Sequence, residues 1–221
     1  SEVFGDIMID YSYVECSASA MGALRRFTRQ FPEHRKDEIA RAVRRGARFI
    51  KSVQRPDGSW YGCWGNCFTY GCWYGVEGLL CSGEQPAVCT SILQCMHFLL
   101  SHQNSDGGWG EDFASCFDKA YASRPQLYGC EAGSTVVQTA WALLALMAGD
   151  CRDVAAVHKG IKFLMSRQLP SGDWPQENIA GVFNRSVGIT YTAFRNVFPL
   201  WALGRFARHY GPRHGLVPVG G

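Results

Sequence analysis

The sequence predicts an all-α fold, a double-layered (α/α) helical barrel or toroid, and three observations support this prediction. Amphipathic and almost wholly apolar helical patterns alternate along the 221 residues. A turn in which Gln is followed six positions later by Trp occurs three times. No stretch shows the alternation of apolar and polar residues that is typical of a half-buried strand. Charged helices that alternate with apolar ones imply an outer ring around an inner ring.

The amphipathic helices are predicted over 33–54, 89–103 and 157–168. In the first of them, Ile39 and Val43 recur at helical spacing, and charged residues occupy the opposite face. Each segment ends at the Gln of a Gln-Trp turn and continues into Gly, Pro, Asp or Ser. These segments are the expected outer helices.

The apolar helices are predicted between them, over 14–27, 70–80, 134–149 and 189–206. They are rich in Ala, Gly and aromatic residues on every side, which predicts burial on most sides. These segments are the expected inner helices.

The repeated Gln and Trp residues are predicted to be structural rather than catalytic. A Gln amide can donate to carbonyls that are left unpaired where its own helix ends, or accept from N–H groups of the next helix. A Trp ring stacked on that amide would shield these bonds and join adjacent repeats. The pairs are Gln54 with Trp60, Gln103 with Trp109, and Gln168 with Trp174.

Composition argues against several classes of protein. The net charge of +3 is small and scattered, which does not favour binding to nucleic acid. The ten cysteines lie in apolar runs, which favours buried, reduced thiols. No Cys-x-x-Cys is present and the His residues are not at ligand spacing, so neither a metal nor another cofactor is expected. No apolar run is long enough to span a membrane, and no signal peptide is visible.

Longer stretches carry a resemblance to a known family. The Gln-Trp turns resemble the QW repeats of triterpene cyclases, and five segments are similar to eukaryotic oxidosqualene cyclases. The most specific string is WPQENIAGVFN, which lies in register with the C-terminal tail. The segments are FGDIMIDYSYVECSASA (4–20), PDGSWYGCWGNCFTYG (56–71), DGGWGEDFASC (106–116), GDWPQENIAGVFNRS (172–186) and FRNVFPLWALGRF (194–206).

The resemblance implies that residues 1–221 are the C-terminal part of a cyclase catalytic domain, and therefore part of a barrel. The family is an isomerase that converts 2,3-oxidosqualene to a tetracyclic sterol precursor through acid-initiated carbocations, and lanosterol is favoured here over cycloartenol. The family's acid is the Asp of an Asp-Cys-Thr-Ala-Glu motif, which this sequence lacks, so we expect the chain alone to be inactive. The implied partners are the substrate 2,3-oxidosqualene, the rest of the cyclase chain and a membrane surface. The implied location is the cytosolic side of the endoplasmic reticulum membrane, as a monotopic protein, or a lipid droplet.

The resemblance also implies roles for individual residues. Cys16, in YVEC, takes the position of the Cys that hydrogen-bonds the catalytic Asp. Phe183, in AGVFN, takes the position of the Phe that stabilises late cations, a role that suits the negative face of an aromatic ring. Phe183 also follows a Gly in a loop, unlike an aromatic residue on the buried side of a helix. The substrate-binding wall positions are Phe4, Ile7, Trp64 and Tyr191.

Some residues are interpreted as structural, or depart from the family pattern. Glu111 and Asp112 are expected at the start of the segment that follows them, where acids favour a helix N-terminus. The segment 63–72 has Cys63, Asn66 and Cys72 where the family pattern has Ser, Val and Thr.

Three further expectations remain open. A partial barrel would leave an inner helix such as 134–149 exposed at an open edge, and the isolated chain would then aggregate. The chain could instead be a truncated, non-catalytic cyclase-like scaffold, which the missing acid favours. A barrel like that of the protein prenyltransferase β subunit would require a zinc set of Asp, Cys and His.

Overall fold

The computed structural model describes residues 11–123, 133–183 and 187–216. Most of the predicted helices are present, with bounds that differ by a few residues, and the all-α prediction is confirmed. The inner helices are α1 (Val14–Gln30), α3 (Cys67–Cys81), α6 (Val136–Ala148) and α8 (Thr192–Arg205). The outer helices are α2 (Lys36–Ser52), α4 (Thr90–Ser101) and α7 (Val154–Ser166). A short α5 (Ala114–Asp118) precedes α6, and a π-helical turn (Phe206–Tyr210) joins α8 to α9 (Gly211–Arg213).

The helices pack in two layers. The inner helices lie side by side in the order α1, α3, α6, α8. Each outer helix covers the seam between two inner ones: α2 packs on α1 and α3, α4 on α3 and α6, and α7 on α6 and α8. The described residues therefore form an arc of a double-layered barrel.

Burial differs between the layers as the sequence patterns require. Helix α6 is enclosed on nearly all sides, and Trp141 and Leu144 are fully buried. Helix α2 buries only Ala47 and Ile50 and keeps its charged face in solvent. An apolar pattern on all sides thus corresponds to a helix that has neighbours on all sides.

The expectation that 134–149 lies at an open edge is wrong. Helix α6 lies between α3 and α8 and beneath two outer helices, so it has no free side. Among the inner helices, the exposed large apolar residues are on or next to the two terminal ones instead. They are Phe27 on α1, Phe31 directly after it, and Val197, Leu200 and Trp201 on α8.

Each Gln-Trp turn uses its Trp to complete the preceding outer helix. The indole Nε1 donates to the carbonyl ten residues earlier, from Trp60 to Ile50 at 2.7 Å, Trp109 to Leu99 at 2.7 Å and Trp174 to Leu164 at 2.8 Å. Each acceptor lies in the last turn of its helix, where carbonyls have no partner within the helix. The Trp therefore makes the bond that the sequence analysis assigned to the Gln.

The Gln side chains link successive outer helices. Gln54 Nε2 donates to the carbonyl of Gly58 in its own turn and to that of Ser91 in α4, both at 2.8 Å. Gln103 Nε2 repeats this arrangement with Gly107 at 2.8 Å and with Ala156, in α7, at 2.9 Å. Each Gln thus joins the end of one outer helix to the start of the next.

Gln168 offers a matched comparison. Within the described residues, its side chain makes the bond inside its own turn, from Nε2 to the carbonyl of Gly172 at 2.8 Å, and no bond to a further outer helix. We expect Gln103→Ala to lower the free energy of unfolding of the chain by about 1–2 kcal/mol, since each net hydrogen bond contributes about 1 kcal/mol. Gln168→Ala is expected to lower it by about half as much. Urea denaturation of both variants measures the difference, and equal losses would contradict a linking role for the second bond.

A β-hairpin is present that the sequence did not predict. Strand β1 (Gly181–Phe183) pairs antiparallel with β2 (Val187–Ile189), and Gly181 lies opposite Ile189. Strands of three residues are too short to show a period of two, so periodicity could not reveal them.

Within the described ranges, no helix combines the length and the apolar content that a bilayer crossing requires.

Candidate functional site

The N-terminal ends of the inner helices bring together three of the sequence-predicted site positions. The turn that contains Trp64 precedes α3, β1 ends at Phe183, and Tyr191 directly precedes α8. Gly181 makes this approach possible: a Cβ there would overlap the carbonyl oxygen of Trp64 and lie 3.3 Å from the ring of Tyr191. Trp64, Tyr191 and the strand that carries Phe183 therefore share one end of the barrel arc.

Cys16 lies near this end but is exposed, in the first turn of α1. The prediction that the cysteines are buried is therefore wrong for Cys16. Its neighbour Glu15 is buried, and Glu15 Oε1 accepts from the backbone N–H groups of Cys63 at 2.5 Å and Trp64 at 3.3 Å. The first turn of α1 is thus joined to the Trp64 turn. Phe4 and Ile7 lie outside the described residues.

Aromatic rings continue from Tyr191 into the barrel. Ring centroids are 4.5 Å apart between Tyr191 and Phe194, 5.6 Å between Phe194 and Trp141, and 4.9 Å between Trp141 and Tyr70. Burial raises the pKa of Tyr70, so its hydroxyl remains neutral. Aromatic faces attract cations and present no strong base to them. The sequence analysis did not single out Phe194, Trp141 or Tyr70, because aromatic residues on apolar helices indicate core equally well.

Two glutamates, one buried and one partly buried, accept from N–H groups at the starts of inner helices at the same end. Glu111 is 3% exposed and accepts from the N–H of Phe68 at 2.9 Å and of Thr69 at 3.0 Å, in the first turn of α3. Glu177 Oε2 accepts from the N–H of Val136, the first residue of α6, at 2.6 Å. Negative charge at a helix N-terminus offsets the positive end of the helix dipole. Both side chains therefore supply acceptors to N–H groups that have no partner within their own helices.

Glu111 and Asp112 both cap helices, as the sequence predicts. Glu111, however, caps a different helix from the expected one. Asp112 Oδ1 accepts from the N–H of Ala114 at 2.8 Å, so it caps the segment that follows it. Glu111 caps α3, which precedes it in the chain. Burial is the main cause that raises the pKa of Glu111, and the N–H donors act in the opposite direction.

Gly181→Ala is expected to lower the free energy of unfolding by about 1–3 kcal/mol, because the added methyl would displace backbone at a closely packed point. Gly204, in the last turn of α8, is the matched control, since a Cβ there meets no atom within 4 Å. Gly204→Ala is expected to stabilise the chain by up to about 1 kcal/mol. Thermal unfolding of both variants measures the contrast, and a neutral Gly181→Ala would rule out the close approach.

Paired layers of helices, joined through Gln-Trp turns and lined with aromatic rings at one end, are the architecture of α/α-barrel terpene cyclases, and the fold assigns the chain to this class. A family model described as the squalene-hopene cyclase C-terminal domain matches residues 4–208. Since the match covers most of the sequence, the chain belongs to this family.

Similar proteins agree with this assignment. The chain is 50% identical over 216 residues to the lanosterol synthase of Homo sapiens, covering 96% of this chain and 29% of that protein. It is 52% identical over 211 residues to the cycloartenol synthase of Dictyostelium discoideum, covering 95% of this chain and 29% of that protein. The chain thus spans less than a third of the length of these relatives.

A solved structure matches the fold at lower sequence similarity. It is the ent-copalyl diphosphate synthase from Streptomyces platensis, with a TM-score of 0.62 and 18% identity. The match covers 89% of this chain and 34% of that protein. Among the described residues, no group of three or more His, Cys, Asp or Glu side chains is placed to hold a metal ion.

Proposed function

We propose that the chain forms the C-terminal part of an oxidosqualene cyclase, which converts 2,3-oxidosqualene to a tetracyclic sterol precursor. The observation that carries this proposal is the convergence of Trp64, Tyr191 and the strand ending at Phe183 at one end of the inner helices. The 50% identity to human lanosterol synthase over almost the whole chain supports it. The catalytic acid belongs to the rest of the cyclase, which is the chain's proposed partner.

In this proposal, the chain supplies the wall along which cations form and migrate. An acid outside this chain protonates the epoxide, and the opened substrate cyclises through successive carbocations. Trp64, Phe183 and Tyr191 offer aromatic faces, each worth up to about 2 kcal/mol to a desolvated cation. The resemblance gives Phe4 and Ile7 a role in substrate binding as well.

Cys16 is proposed to hydrogen-bond the catalytic Asp. Cys16 is exposed in the first turn of α1, at the end of the arc where Trp64 and Tyr191 also lie. A hydrogen bond of this kind orients an acid that must be protonated at rest and release its proton to the substrate.

The proposed product is lanosterol, and the proposed location is the cytosolic face of the endoplasmic reticulum membrane or a lipid droplet. The human and mouse relatives, at 50% and 51% identity, are named lanosterol synthases. Cycloartenol is the alternative product, because the relative at 52% identity is named a cycloartenol synthase. Product identity decides between them.

The test is to extend the transcript upstream to the Asp-Cys-Thr-Ala-Glu motif, express that complete chain and incubate it with 2,3-oxidosqualene. Gas chromatography with mass spectrometry is expected to detect a cyclised triterpene alcohol. A variant with Asn in place of the motif's Asp is the control, and it should form none. A folded, complete chain that leaves the substrate unchanged would overturn the proposal and favour the non-catalytic scaffold.

A further inference from the structure

Asn66 directly precedes α3 and is 1% exposed, but it does not cap the helix. An Asn at this position usually accepts from N–H groups in the first turn. Here the N–H groups of Phe68 and Thr69 donate to Glu111 instead. The Asn66 side chain is therefore left to make bonds elsewhere.

Those bonds hold the segment that leads into β1. Asn66 Nδ2 donates to the carbonyl of Ile179 at 2.9 Å, and the Asn66 backbone N–H donates to the carbonyl of Ala180 at 2.9 Å. Two consecutive carbonyls immediately before β1 are thus fixed by one residue. Phe183 follows Ala180 by three positions, at the end of that strand.

The other polar atoms of Asn66 join it to two further helices. Its Oδ1 lies 3.7 Å from the Sγ of Cys116, in α5, which donates to it. Its carbonyl oxygen accepts from Gln138 Nε2, in α6, at 2.7 Å. Since every polar group of this buried residue has a partner, its position relative to the two helices is well determined.

We propose that Asn66 is a positioning residue of the cyclisation: it sets the distance between β1, which carries Phe183, and the Trp64 turn, and so determines where the cation cascade ends. The inference rests on the proposed cyclase function. A cation is stabilised only while an aromatic face lies close to it, so displacement of one wall element exposes an intermediate to early proton loss. Asn66 bonds Ile179 and Ala180, the two residues before β1, so its effect on the reaction passes through the position of Phe183.

Asn66→Leu in the complete cyclase removes the side-chain bonds but leaves the backbone bond to Ala180. We expect kcat to fall about five-fold, the equivalent of one hydrogen bond, with KM unchanged. Early-terminated cyclisation products should appear beside the wild-type product. Hydrogen exchange in the peptide 178–189 should be faster than in the wild type, a change that requires no turnover to be seen.

Cys116→Ala is the matched control, because it removes a bond to Asn66 without touching Ile179 or Ala180. It is expected to keep the wild-type products and the wild-type exchange of 178–189. If Asn66→Leu does not accumulate as folded protein, Asn66→Ala removes the same donor from the Ile179 carbonyl and gives the same comparison.

The results distinguish a positioning role of Asn66 from a purely structural one. An Asn66→Leu enzyme with a lowered Tm but wild-type kcat and products would overturn the inference and leave Asn66 a purely structural residue. The same product shift in Cys116→Ala would overturn it too, because the effect would then be general loosening. If the complete wild-type enzyme does not turn over substrate, the proposed function and the inference are both overturned. If the wild type is active and the variant behaves like it, only the inference is overturned.

Discussion

Glu111→Ala is expected to lower the free energy of unfolding by about 3 kcal/mol or more, because each buried donor left without an acceptor costs about 1–3 kcal/mol. Three donors would lose their acceptor: the N–H groups of Phe68 and Thr69, and the hydroxyl of Thr69. Glu111 is 3% exposed, so water does not readily replace it. Chemical denaturation of the chain measures the loss. Glu38→Ala, at an exposed residue that pairs only locally with Arg35, should change stability little.

Glu111→Gln separates the charge of this group from its shape. Burial raises the pKa of Glu111 above its usual value of 4.5, so the folded chain holds the proton more tightly than the unfolded chain. The stability of the wild type relative to the Gln variant is therefore greatest below that value and falls as the pH rises through the raised pKa. Burial also raises the pKa of Cys67 and Tyr121, so these neighbours stay neutral. Denaturation of both proteins at a series of pH values that begins below 4.5 and rises to neutral checks this, and a constant difference would refute it.

The role of Glu111 shows where sequence patterns stop being informative. Asp112 caps a helix two residues ahead, and a local rule for acids at helix starts predicts that bond. Glu111 reaches a helix start 43 residues earlier in the chain. Only the packing of α3 against the turn after the second Gln-Trp repeat creates this contact. The same packing releases Asn66 from its usual capping role, so neither function is visible in the sequence.

The layered architecture was predictable because its determinants are local. Periodicity separates the outer helices from the inner ones, and the fixed Gln-Trp spacing predicts that one turn recurs. The acceptors of the Gln side chains were not predictable, since Gln54 and Gln103 bond carbonyls 37 and 53 residues away. The site residues Trp64, Tyr191 and Phe183 were identified by resemblance. The close approach of β1 to Trp64 and Tyr191 depends on Gly181, and the sequence analysis had no pattern that indicates the role of this residue.

Phe183→Leu in the complete cyclase is expected to lower kcat about thirty-fold, since a desolvated cation–π contact is worth about 2 kcal/mol and about 1.4 kcal/mol corresponds to a factor of ten. Leu keeps an apolar side chain at the end of β1 but removes the aromatic face. Substrate binding depends on the whole hydrocarbon wall, so KM should change much less than kcat. Kinetics with 2,3-oxidosqualene measure both constants, and mass spectrometry should detect products of early proton loss.

Phe206→Leu is the matched control, because Phe206 is a buried aromatic residue in the π-helical turn beyond α8, where its ring stacks near His158. It should lower the Tm through lost packing and leave kcat and the product unchanged. Phe183→Tyr keeps the aromatic face and should retain most of kcat, which separates the π-system from the volume of the side chain. If Phe183→Leu changed only the Tm, as Phe206→Leu is expected to, then Phe183 would be a packing residue. The cations would then have to be stabilised by Trp64, Tyr191 and the rest of the cyclase.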